Sequence, residues 1–352
     1  MRRRAFLFVL LAALPIFAGC GTVKYYAQAT RGQFQVLHRK QPIQKLLADT
    51  NTPPKLRGRL TFLLSIRDFA GKELRLPANG HYQHYADLKR RYAVWNVYAA
   101  PEFSLAAKSW WYPVVGRLEY RGYFDERAAR REAARLAARG YDVHVGGVTA
   151  YSTLGWFHDP ALNTFIFKED VELAELLFHE LAHQRLFIAG DTDFNEAFAT
   201  AVAEEGVERW LRTRGNAAAI ARQREEAEHE QTFLRLVAGA RAELESLYLA
   251  GPAGDCRGGL RSEKEAVFER LRRDYATARA AWGGSGEYDR WFGQPLNNAL
   301  LNTVETYHAL VPAFRQLLAQ AGGDMERFFK AAKALGKLKP EERHRRLRES
   351  AQ

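Results

Sequence analysis

The five residues His179-Glu180-Leu181-Ala182-His183 constrain this chain more than any other stretch. They lie among Leu173, Leu176, Leu177, Phe178, Leu186 and Phe187, and this apolar setting predicts a buried helix over 171–188. On a helix, residues four apart share a face, so both imidazoles can reach one tetrahedral Zn²⁺. Glu180 stands about 100° round the helix from His179, where it can take a proton without ligating the metal. Zinc lowers the pKa of a bound water from about 15.7 to about 7 and so supplies a nucleophile at neutral pH. The plain alternative is a pair of core histidines, but two buried His beside a buried Glu need partners to offset their desolvation.

A catalytic zinc site takes three protein ligands and keeps one position open. No further His stands at the spacing used by three-histidine enzymes. Glu196, in Asp193-Phe194-Asn195-Glu196-Ala197-Phe198-Ala199-Thr200, lies 13 residues after His183. With Gly190-Asp191-Thr192 as a tight connection, the next helix runs antiparallel and Glu196 faces back towards the histidines. A capping box, Asp193 as N-cap with Glu196 three residues on, is the competing use of that carboxylate. Glu204 is the rival ligand on the same helix face.

The remaining site candidates rest on less. A group for the developing oxyanion is needed beyond the metal, and Tyr307 or His308 in an apolar helix over 295–319 can supply it. Tyr151 and Trp156, just before the metal helix, are candidates for the substrate rim, and Asp159 or Glu205 for holding a substrate amine. Asn163 and Thr200 are candidates for orienting the ligands.

The predicted fold is α+β. A mixed α+β N-terminal lobe with a small sheet, residues 31–170, packs on a mostly helical C-terminal lobe, residues 171–352, which carries the HExxH helix; together they form one catalytic domain. Helices are predicted over 31–49 and 53–70, and strand character over Tyr92 to Tyr98 and Tyr141 to Val148. Trp110 to Phe124 reads as one long strand or a hairpin. Asp125 caps a helix that Gly140 stops. Further helices are expected over 193–213, 216–249 and 262–282, with a polar stretch at the end.

Arg2-Arg3-Arg4 followed by the apolar run Ala5 to Ala18 reads as an export signal over residues 1–19. Arg3-Arg4 leaves twin-arginine export open beside the general secretory route. Phe17-Ala18-Gly19-Cys20 resembles a bacterial lipobox, with Phe17 where Leu is usual. That resemblance implies lipidation of Cys20, a tether over 20–30, and a chain lipid-anchored on the periplasmic side of the cell envelope. Gly21 in place of Asp leans towards the outer membrane. With Cys20 lipidated, Cys256 has no intrachain partner, so no structural disulfide is expected. The formal net charge of +11 is spread through helices and not gathered on one face, which argues against a nucleic-acid partner.

The residues also carry a family resemblance. HELAH followed by Phe194-Asn195-Glu196-Ala197-Phe198-Ala199 is similar to the HExxH…NExFA arrangement of gluzincin metallopeptidases, although their Glu comes some six or seven residues later. Over most of its length the chain resembles a family of bacterial lipoproteins regarded as zinc aminopeptidases. The likeness includes Ile66-Arg67-Asp68-Phe69-Ala70, Ala99 to Ser104, Gly146-Gly147-Val148, Ala150 to Phe157, and Thr306 to Phe314. The resemblance implies an aminopeptidase of peptide substrates with one zinc ion, while the residues themselves indicate only a zinc hydrolase. A zinc amidohydrolase of cell-wall or small amides is the alternative. A non-catalytic envelope scaffold is a third, against which the intact Glu180 counts.

Overall fold

A computed structural model describes residues 20–77, 80–112, 116–150, 158–251, 257–308 and 310–349, without the side chains of 20, 21 and 305–308. Residues 1–19, expected to be an export signal, and the candidates Tyr151 and Trp156 lie outside the described residues. The fold is α+β with a helical C-terminal part, as the sequence indicates.

The first helix, α1, spans Cys20–His38. This corrects the expected tether at 20–30 and the helix expected at 31–49. The heptad-like placement of Tyr25, Ala29, Gly32 and Val36 puts small and apolar groups on one side. That side packs on the sheet: Tyr25 meets Tyr123 with ring centroids 5.5 Å apart. A Cβ on Gly32 would lie 2.1 Å from Phe124, so only glycine allows this approach. Beyond it come β1 (Gln41–Pro42), α2 (Ile43–Ala48), α3 (Pro54–Glu73) and β2 (His84–Ala86).

The central sheet is built from β3 (Val94–Pro101), β6 (Tyr120–Tyr123) and β7 (Tyr141–Val148), all antiparallel in the order β6-β3-β7. The stretch from Trp110 to Phe124 divides. Strands β4 (Trp110–Tyr112) and β5 (Gly116–Leu118) pair with each other as a separate hairpin, and β6 joins the main sheet. Period-two alternation gives β3 two faces. Trp95, Val97 and Ala99 are buried against α4 (Glu126–Ala137). Val94, Asn96 and Tyr98 point the other way and line a cleft. Asp125 caps α4 by accepting from the Ala128 amide, and Gly140 follows at φ +80°, both as the sequence predicts.

After β8 (Ala161–Leu162) the chain is helical: α5 (Asp170–Arg185), α6 (Thr192–Thr213), α7 (Ala217–Ala250), α8 (Arg257–Ala281) and the short α9 (Asp289–Phe292). The single helix expected over 295–319 is two, α10 (Asn298–His308) and α11 (Val311–Gln320). Pro312 in the first turn of α11 explains the break, because proline fits a helix start and not an interior. The polar end forms α12 (Met325–Gly336) and α13 (Pro340–Glu349).

The main apolar core joins α3, α5 and α6 with α11, α12 and α13. Phe178, Phe194, Phe198, Phe314 and Phe328 are fully buried there. Gly206 lets α6 close on this core, since a Cβ would lie 2.7 Å from both Leu74 and Phe178. Gly206→Val is therefore expected to cost about 1–3 kcal/mol by overpacking. A denaturant midpoint equal to that of the parent would show that the helices can part there.

Candidate metal centre

Helix α5 positions His179, Glu180 and His183, and α6 positions Glu196. The two helices pack side by side. Their connection, 186–191, is held by Asn195, whose side chain accepts from the Ile188 amide at 2.7 Å and donates to the Ile188 carbonyl at 2.8 Å. The N-cap of α6 is Asp191, which accepts from the Phe194 amide. The sequence suggested Asp193 instead. With Asp191 as cap, Glu196 falls in the second turn and is no capping-box partner.

The donor atoms converge. His179 Nε2 and His183 Nε2 are 3.1 Å apart. Glu196 Oε2 lies 3.3 Å from His179 Nε2, and its Oε1 lies 3.7 Å from His183 Nε2. Nitrogen and oxygen ligands at 2.0–2.1 Å around a tetrahedral ion would be about 3.3 Å from one another. The spacing thus fits a single zinc-sized ion, and the three residues form a group able to hold one. Glu204, the rival, pairs instead with Arg315 at 2.7 Å.

Glu180 is buried, and its Oε2 has no hydrogen-bond partner. Burial pushes its carboxyl up to about 7; His179 opposes this, and the negative charges of Glu196 and Asp159 add to it. Glu196 shows the reverse. Burial would raise its pKa, but hydrogen bonds from His179 and His183 hold it well below the usual carboxylate range. An orphaned buried carboxylate beside three converging donors is the environment expected where an ion and a water complete the bonding.

The site opens into a cleft of about 860 Å³. One wall is α1 (Tyr25, Thr30, Phe34), the roof is the sheet (Val94, Asn96, Tyr98, Tyr120), and His179, Glu180, His183 and Glu196 lie on the floor. Tyr120 feels Glu196 and Glu180 directly. Burial, Tyr98 and those two charges raise its pKa, so the phenol keeps its proton. The sequence reading missed Asn96, Tyr98 and Tyr120. Alternation along β3 puts Asn96 and Tyr98 on one face, but nothing local says that this face meets the metal helix.

The other candidates fall elsewhere. Tyr307 and His308 belong to α10, which packs on α6 and the sheet, but their side chains are not among those described. Asn163 accepts from the Leu88 amide and donates to the Arg90 carbonyl, bracing that loop and no ligand. Glu205 pairs with Arg209. Asp159 is buried, with its Oδ2 3.6 Å from His81 Nδ1.

Fold and site together define a class: an α+β protein with a three-donor group fit for a metal on a helix pair beneath a small sheet. The model of a family described as "Putative aminopeptidase" matches residues 24–347, and the chain belongs to that family. Family membership places it among peptidases at a coarse level. No curated protein and no solved structure matches it.

Proposed function

We propose that the chain is a zinc-dependent peptidase that removes residues from free peptide N-termini. The observation that carries this is the convergence of His179, His183 and Glu196 beside the unpartnered carboxylate of Glu180, at the floor of a peptide-sized cleft. The family supports the aminopeptidase subtype. His179, His183 and Glu196 would hold the zinc. When bound, the ion supplies Lewis-acid chemistry and makes a water nucleophilic near neutral pH.

The chain's own groups do the rest. Glu180 Oε2 accepts the proton of the attacking water and returns it to the leaving amine. Asn195 and Asp191 fix the start of α6, so Glu196 keeps its place without relying on the ligand bond. Residues 1–19 as an export signal and Cys20 as a lipid anchor would place this activity in the cell envelope, on the periplasmic side of the outer membrane.

The test combines metal content with substrate choice. The full chain is expected to hold about one zinc, to lose activity on chelation and to regain it with added zinc. It should cleave tripeptides with a free amine and spare their N-acetylated forms. Wild-type protein without zinc would remove the site. Equal cleavage of blocked peptides would remove the aminopeptidase subtype, and turnover of cell-wall amides alone would favour an amidohydrolase.

A further inference from the structure

The register of the central sheet puts two glycines beside one polar residue at a single level of its cleft face. Asn96 of β3 is opposite Gly122 of β6 and also opposite Gly146 of β7. Two residues further along, Tyr98 is opposite Tyr120 and His144. Two residues back, Val94 is opposite Val148, and Phe124 continues β6 on the same face. Val94 and Tyr98 are four residues apart, so the layers they head are roughly 13 Å apart along the strands. Between them the His144 ring covers Gly146, its Nε2 3.2 Å from where a Cβ would stand, while Gly122 lines the cleft with Val94 and Asn96 beside it.

Glycine in a strand interior weakens the strand, and it often marks a place where a ligand or another backbone approaches. Here two glycines flank one buried polar residue. Asn96 is only 8% exposed. Its amide nitrogen donates to the Tyr98 hydroxyl at a long 3.4 Å. Among the described residues no donor reaches its carbonyl oxygen. The side chain lines the same cleft as His179, Glu180 and Glu196.

We propose that Asn96 and Gly122 form a substrate-positioning patch in the roof of the cleft, facing the metal residues. The carboxamide hydrogen-bonds a peptide group of the substrate, and the space over Gly122 seats an apolar side chain against Val94, Phe124 and Val148. The ligand class is a short peptide with a bulky apolar residue near its N-terminus. This rests on the peptidase reading and adds the substrate to it.

The test measures binding without turnover. Trileucine and triglycine are titrated by calorimetry into the full chain carrying Glu180→Gln, alone and combined with Asn96→Ala or Gly122→Ala. A Cβ at Gly122 would sit 3.2 Å from Val94 Cγ1 and 3.3 Å from Asn96 Oδ1, so it crowds that space. The parent is expected to bind trileucine more tightly than triglycine. Both added substitutions should weaken trileucine at least fivefold, with zinc content and melting temperature unchanged. If Asn96→Ala does not fold, Gly122→Ala decides. Trileucine binding that is absent from the parent, matched by triglycine, or indifferent to Gly122→Ala overturns the proposal. Zinc content and turnover of the unmutated chain are followed separately, so a failure of the peptidase reading appears there and not in the titration.

Discussion

Glu180→Gln is expected to keep bound zinc and to lose turnover by about 10²–10⁴-fold, the usual contribution of a positioned acid–base group. The substitution preserves shape in a site where the side chain is buried and its Oε2 makes no hydrogen bond to the protein. It removes the group that takes and returns the proton, and leaves His179, His183 and Glu196 in place. Metal analysis and steady-state kinetics on the same preparation separate the two effects. Turnover within threefold of the parent would mean that another group carries the proton. Loss of zinc would mean that Glu180 belongs to the ligand set.

Arg343→Leu should be the most destabilising single change outside the core. Arg343 and Asp191 form an ion pair with both side chains about 5% exposed. His344 joins it from 2.9 Å. Arg343 also donates to the Gly336 and Leu338 carbonyls, closing the end of α12. Removing one partner of a buried pair leaves the other charge uncompensated and costs about 3–5 kcal/mol. A melting midpoint lower by roughly 5–10 °C is expected. Because Asp191 also caps α6, zinc affinity should fall in parallel. A midpoint within about 1 °C of the parent would show that His344 alone satisfies Asp191.

What could be read from the sequence follows the range of the interactions involved. Helix α5 announced itself by its apolar setting and the His179–His183 spacing. Strand β7 has the bounds expected for it, Tyr141 to Val148, and the Asp125 cap and Gly140 stop of α4 are where local turn chemistry puts them. The convergence of Glu196 on the histidines also followed from local geometry, because a short connection forces neighbouring helices together. Longer-range features were not legible. Residues 20–30 look like a tether because their apolar groups are few, yet Tyr25 and Gly32 are matched to Tyr123 and Phe124, about a hundred positions away. The cap of α6 reads as Asp193 from the sequence but is Asp191, which is held by Arg343, 152 residues away. Asn96 stayed hidden because only strand pairing brings Gly122 and Gly146 to its sides.

The Asn195 brace on Ile188 separates what can vary in this site from what cannot. Between the Asp191 cap and Glu196 every residue is helical, so one inserted residue there would swing the carboxylate through about 100° and away from the imidazoles. Extra residues in the connection between Leu186 and Gly190 would lengthen a loop and leave the helix phase alone. Separation along the chain is thus free to drift, while separation in space is not. Two proteins can count different numbers of residues between histidine and glutamate and still offer a metal the same three donors.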